Sequence, residues 1–231
     1  VKIAFYVSGS ATRLRKLLKV WDAAGVSGLT AISFALIDHC GNSELRQLCQ
    51  AGKVPLFEED LKAVAKGARN RTISNVLLRH LESHGVDYCF LFCDRVLEGD
   101  ILERYASRII NCHPSILPHY GGLLSIDQAL KDGATLLGNT LHVIDEGVDT
   151  GPILMQSVLH RSRYSDYDDV LDLQVPMLIQ LIQWLKAGRV KVAGRTAVIE
   201  GGDYSGGAFY PALELNCQDL LARMRAADGE P

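Results

Sequence analysis

The sequence predicts an α/β fold: a mostly parallel, twisted sheet with helices on both faces and a small C-terminal extension. Two observations predict it. Runs rich in β-branched and aromatic residues, KIAFYV at 2–7, LTAISFALID at 29–38 and DYCFLFCD at 87–94, lack the polar alternation of a strand with a wet face. Stretches with helical periodicity lie between them, ATRLRKLLKVWDAAG at 11–25 and RTISNVLLRHLESHG at 71–85. Strands alternating with helices in this way need cover on both faces and crossover connections.

The first strand ends at Ser8, Gly9 and Ser10, a tight loop into the first helix. After the second strand, Asn42 or Ser43 caps a helix that Gly52 ends, and VPLFEED at 54–60 is a short third strand. Gly85 stops the next helix. A strand then leads into INCHPSILPHYGG at 110–122, and a helix follows at 124–133. GNTLHVID at 138–145 and PILMQSVLHR at 152–161 are two more strands around the turn EGVDTG. The helix from about Asp168 to Gly188 contains Pro176, which either kinks it or marks a late start. A hairpin, a glycine-rich loop and an amphipathic helix with a frayed end complete the chain. The predicted division is a domain at 1–190 and an extension at 191–231. In open α/β sheets ligands collect at the carboxyl ends of strands, so the loops at 8–13, 93–98 and 111–122 should share the functional rim.

The 231 residues, 48% hydrophobic, suffice for one full core with a modest appendage. A net charge of -3, from 24 basic and 27 acidic residues, supplies no field for a polyanion, so nucleic acid is not a predicted partner. No stretch reaches ~18 consecutive apolar residues. The opening VKIAFYV lacks the sections of a signal peptide. The expectation is a soluble, cytoplasmic protein with no membrane partner. The six cysteines form neither a CxxC pair nor a secreted framework, which predicts free thiols, mostly buried, and no metal.

Two clusters carry possible chemistry. Asn111 and His113, two apart on an extended backbone, point to the same side and can face one reacting atom. Pro114 and Pro118 restrict the loop that follows, while Gly121 and Gly122 let it turn. Alone, Asn111 could equally be a turn former and His113 a packed histidine. In HVIDEGVDTGPI at 142–153, Asp145, Glu146 and Asp149 crowd a glycine-punctuated turn. Close, partly desolvated carboxylates shift each other's pKa or orient a histidine, although a surface acidic turn has the same composition.

In order and spacing these segments resemble the formyltransferase family, most closely its branch acting on glycinamide ribonucleotide. The likeness runs over roughly residues 1–190 and rests on NCHPSILP, on DEGVDTGPI about thirty residues later, and on SGSATRL at 8–14. It implies a Rossmann-like fold and 10-formyltetrahydrofolate as cosubstrate, without a metal. It also implies a role in purine biosynthesis, with the formyl group passing to a primary amine. The acceptor so implied is glycinamide ribonucleotide or a similar phosphorylated amine; an amino-sugar nucleotide, or water in a hydrolase, are the alternatives. Hydrolases of this kind usually carry an N-terminal regulatory domain, and this sequence starts at the first strand. A binding module that kept the fold and lost the reaction would not need all of Asn111, His113 and Asp149.

Carried over by residue, the family's reacting groups fall on Asn111, His113 and Asp149. A tetrahedral intermediate with a negative oxygen and a positive nitrogen needs such donors and a proton route. His142 falls on a second histidine that supports Asp149 or is structural. The folate is expected on the loop at 93–102, at Arg95, Val96 and Leu97, and on Asp145, Glu146, Gly147 and Val148. The acceptor is expected at the phosphate loop, Ser10, Ala11, Thr12 and Arg13, together with Pro114, Ser115 and Gln174. Three of these depart from the family pattern: Ala11 replaces a glycine, Arg13 a small polar residue, and Gln174 or Val175 a glutamate. The extension is expected either to cover the acceptor pocket or to form a subunit contact in a homodimer.

Overall fold

Alternation along β1 (Lys2–Val7) sets up two cores. Ile3, Phe5 and Val7 join one buried cluster, Ala4 and Tyr6 another, as the two-residue period of a strand requires. The computed structural model describes residues 1–22, 30–205 and 207–228. The first core is closed by Leu14, Leu17 and Val20 of α1 (Thr12–Val20) and by Leu45 and Cys49 of α2 (Ser43–Ala51). The second is closed by Ile73, Leu77 and Leu81 of α3 (Arg69–His84) and Ile101 of α4 (Asp100–Arg104). Asn42 caps α2 by accepting the Leu45 N–H, and Gly85 ends α3 in the left-handed region. Apolar residues on both faces leave the sheet no wet side.

β3 (Leu56–Glu58), β2 (Ala31–Ile37), β1, β4 (Tyr88–Phe92) and β5 (Ile109–His113) lie side by side and parallel. The loops after β1, β4 and β5 therefore share one rim. β6 (Leu136–Val143) and β7 (Ile153–His160) extend the sheet as an antiparallel hairpin beside β5. α5 (Ser125–Lys131) precedes that hairpin.

The long helix expected from Asp168 divides into α6 (Tyr167–Leu171) and α7 (Gln174–Lys186). Asp166 caps α6 in a capping box with Asp169. Pro176 is the third residue of α7, where its missing N–H has no intrahelical partner to lose. The chain then forms the hairpin of β8 (Val190–Ala193) and β9 (Thr196–Ile199) and the short β10 (Phe209–Tyr210) on the edge of β7. α8 (Cys217–Asp228) packs on α1 and α7. Residues 23–25 of the first expected helix, residue 29 of the second expected strand, residue 206 of the glycine-rich loop and the last three residues lie outside the described residues. Among the described residues no helix is long and apolar enough to cross a membrane.

Candidate active site

β5 ends on Asn111, Cys112 and His113. The two-residue period buries Cys112 in the first core and turns Asn111 and His113 to the opposite face. The antiparallel register places His142 of β6 directly across from Asn111, so a third polar side chain joins them. The turn at 144–152 folds back over this trio and delivers Asp149. Its Oδ2 accepts the Gly122 N–H at 2.8 Å and lies 3.3 Å from His113 Nδ1. Its Oδ1 lies 3.4 Å from both Asn111 Nδ2 and His142 Nε2.

The turn is shaped by small residues and one carboxylate. Asp145 Oδ1 accepts the Gly147 N–H at 3.0 Å and the Thr150 hydroxyl at 2.7 Å. A Cβ at Gly151 would lie 1.9 Å from the Val143 carbonyl oxygen, so only glycine lets the turn close on β6. Asp149 itself has a φ of 55°, a conformation that Asp tolerates better than most side chains.

Burial alone would push the Asp149 carboxyl up. The hydrogen bond with His142, the Gly122 N–H and the nearby imidazoles outweigh it and hold the carboxyl below its usual range. For His113, burial pushes the imidazole below its ordinary value, against the upward pull of the Tyr120 carbonyl and of Asp149. His113 Nε2 lies 3.0 Å from the Tyr120 carbonyl oxygen while Nδ1 faces Asp149, so both ring nitrogens meet acceptors. A neutral imidazole has a single N–H. One contact therefore lacks a proton, and the ring is prepared to receive a second.

These groups open on a cavity of about 400 Å³ that crosses the rim. Of the residues singled out in the sequence, Arg13, Arg95, Val96, Asn111, His113, Pro114, Val148 and Asp149 line it. Arg95 is anchored through Nε to Asp38 Oδ2 at 2.8 Å, which Tyr6 also contacts, so the loop at 93–98 is tied to β1 and β2.

Other expected residues face elsewhere. The side chains of Leu97 and His142 are buried, His142 holding Asp149 from behind. The Asp145 carboxylate is used within its own turn, and Glu146 and Gly147 are exposed outside the cavity lining. The Ser10 and Thr12 hydroxyls bond to each other at 2.8 Å, Ala11 is buried, and Ser115 donates to the His119 carbonyl. Gln174 is fully buried and donates to Asn139 at 2.8 Å. The reason is that α7 is buried on nearly every side and keeps no face for a cavity.

In their place the wall includes Asp94, Leu123, Leu124, Ile126, Asp127, Tyr167 and Leu171. Leu123, Leu124 and Ile126 escape sequence reasoning because apolar residues after a Gly-Gly turn look like core. The Gly122 N–H and the Tyr120 carbonyl are main-chain groups with no side-chain signature. Among the described residues no group of three or more His, Cys, Asp or Glu is arranged to hold a metal ion.

Comparison with known proteins identifies the family and the fold. The formyl transferase family model matches residues 1–172. A phosphoribosylglycinamide formyltransferase of Bacillus subtilis is 26% identical over 175 residues, covering 73% of this chain and 84% of the relative. The crystal structure of glycinamide ribonucleotide transformylase 1 from Symbiobacterium toebii superimposes with a TM-score of 0.74 at 26% identity, covering 87% of this chain and 94% of that one. A formyltetrahydrofolate deformylase from Pseudomonas syringae shares the fold, with a TM-score of 0.70 at 22% identity over 86% of this chain and 65% of its own. With most of its length matched and its polar cluster set where β5 and β6 meet, the chain belongs to the formyl transferase family.

Proposed function

We propose that this chain is an N-formyltransferase of the cytoplasm, moving the formyl group of 10-formyltetrahydrofolate to the primary amine of a small anionic acceptor. Glycinamide ribonucleotide, or a phosphorylated amine like it, is the acceptor that the relatives point to, with purine biosynthesis as the setting. Family membership supports the folate-dependent formyl chemistry. The observation that carries the reading is the meeting of Asn111, His113 and Asp149 in one cavity, with both ring nitrogens of His113 facing oxygen acceptors.

The chemistry follows from those contacts. The amine nitrogen attacks the formyl carbon and the carbonyl electron pair moves to oxygen. Asn111 Nδ2 and an N–H of His113 donate to that oxyanion, His113 exchanging its contact with the Tyr120 carbonyl for the new acceptor. The surplus proton on the attacking nitrogen passes to the imidazole, where the Asp149 carboxylate stabilises the cation. Collapse restores the carbonyl, breaks the bond to folate N10 and returns the proton to that nitrogen. The products are an N-formyl amine and tetrahydrofolate.

The folate half is supported by the other end of the cavity. Val96 and Val148 give it apolar walls, and the main-chain groups of Val96 and Leu97 are without hydrogen bonds among the described residues. Such groups suit the donor–acceptor edge of a pterin. Arg95 completes this side.

Ultraviolet absorbance of 10-formyltetrahydrofolate mixed with the protein tests the reading. Release of tetrahydrofolate only when an amine is present supports transfer. Release at the same rate without an amine means hydrolysis, and no release means a binding module. An amino-sugar nucleotide in the same screen tests the second acceptor class.

A further inference from the structure

α6 is five residues long, and a helix that short does not hold its own place. Isolated helices under about 12 residues are marginal in water, so tertiary contacts decide where it sits. Each of its sides is used. Tyr167 and Leu171, four apart, stand in the wall of the cavity that holds Asn111, His113 and Asp149. Val170 is buried in a cluster with Ile126 and Ala129 of α5 and Leu137 of β6, and its carbonyl accepts from Asn139 Nδ2 at 2.7 Å. Asp168, with Asp172 just past the helix end, faces α1, where Lys16 Nζ lies 3.0 Å from Asp168 Oδ2 and 2.8 Å from Asp172 Oδ1. The apolar side fixes α6 against α5 and β6, and the two carboxylates tie it to α1.

That tie is set deep: Lys16 and Asp172 are each 7% exposed. Burial alone would lower the Lys16 ammonium, but its bonds with Asp172 and Asp168 outweigh it and hold the group above its ordinary value, so it stays charged. Without that charge two carboxylates four apart repel each other, and the side of α6 toward α1 loses its anchor. Tyr167 and Leu171 then move with the helix. Arg13, one turn before Lys16 on α1, lines the same cavity, so Lys16 joins two of its walls while standing outside the lining itself. None of the residues assigned to folate belongs to α1 or α6.

We propose that Lys16 is a positioning residue for the acceptor: by holding Asp168 and Asp172 it sets α6 against α1, and with it the width of the cavity end where the amine substrate is received. The inference rests on the formyl-transfer reading and adds to it a residue that does not touch the substrate.

Initial rates with glycinamide ribonucleotide as the amine test it. Lys16→Met should raise the KM for the amine about fivefold or more, while kcat and the KM for 10-formyltetrahydrofolate stay within about twofold, the split expected when an interaction shared by ground and transition states is lost. Lys16→Arg, which keeps the charge, should recover most of that change. Asp168→Asn removes the half-exposed partner only and should raise the same KM by less; it carries the test if Lys16→Met does not fold. In the Tyr167→Ala, Leu171→Ala double variant the wall is gone, so adding Lys16→Met should move the amine KM by less than about twofold. 3-Fluorotyrosine in place of the eight tyrosines gives a readout that needs no substrate. The Tyr167 resonance, identified by its loss in Tyr167→Phe, should shift in Lys16→Met and return in Lys16→Arg.

An amine KM unmoved in Lys16→Met, an equal rise in both KM values, no recovery in Lys16→Arg, a full effect in the variant without the wall, or a Tyr167 resonance that stays in place overturns the proposal. A parent protein without amine-dependent turnover strikes the transfer reading, and the acceptor role of Lys16 with it. The fluorine signal tells that failure from the others, because it reports on Lys16 and α6 alone.

Discussion

Replacing Asp149 with Asn isolates the electrostatic part of the mechanism. The amide keeps the shape of the carboxyl and one oxygen for the Gly122 N–H, which now donates at 2.8 Å. It loses the negative charge that lies 3.3 Å from His113 Nδ1 and 3.4 Å from His142 Nε2. The turn that carries the residue is held by Asp145 and by the close approach at Gly151, neither of which changes. Folate affinity should therefore remain within a few fold. The cation formed when His113 takes the amine proton loses its partner, a cost on the scale of one oxyanion-hole donor, about 2.7–4 kcal/mol, or roughly a hundred- to a thousandfold in kcat. The assay is absorbance at saturating amine and 10-formyltetrahydrofolate, paired with titration of a non-transferable folate analogue. A kcat within threefold of the parent removes Asp149 from the reaction. An affinity loss as large as the kcat loss shows that the residue only shapes the folate site.

Four further outcomes follow. Because burial holds the His113 imidazole below 6.5 and the neutral ring accepts the proton, kcat should stay level as pH falls through 6.5 and drop only below it; Asp149→Asn, which removes an upward pull, should move that acid limb lower still. In urea unfolding the same shift makes the folded state lose stability as pH falls from 6.5 toward the folded value, since the unfolded chain takes up the proton first, with no dependence from this group above that window. Lys16→Met takes the Lys16 ammonium from the largely buried Asp172 carboxylate and from Asp168 and should cost about 1–3 kcal/mol in urea unfolding; a variant as stable as the parent contradicts the burial argument. Gly151→Ala, whose Cβ would meet the Val143 carbonyl oxygen at 1.9 Å, should cost roughly 1–3 kcal/mol and displace Asp149, so a fully active, equally stable variant rules out the tight turn.

The parts of this site that were legible in the sequence are those a local period or a resemblance can reach. Asn111 and His113 stand two apart at the end of a strand, so their common direction follows from backbone geometry. Asp149 was reached through the likeness of DEGVDTGPI to a family motif, because the sequence spacing itself does not say that a distant turn folds over β5. The alignment of His142 with Asn111 is a matter of antiparallel register, set by the β6–β7 hairpin, and no pattern within either segment encodes it. Gln174 illustrates the reverse case. Its position suggested a cavity residue, yet α7 is enclosed by the sheet and by α8, and its side chain became part of a buried amide pair. The cavity wall passed to Tyr167 and Leu171 because Asp166 caps a separate short helix there, a local signal that was present in the sequence and was absorbed into one long helix.

Carbon-13 placed in the formyl group of 10-formyltetrahydrofolate and followed by nuclear magnetic resonance tests the central claim most directly. With the protein and an accepted primary amine, the label should appear in an N-formyl product, one for each tetrahydrofolate formed, and should stay on folate when the amine is withheld. Label appearing as formate at a rate that the amine does not change contradicts the account.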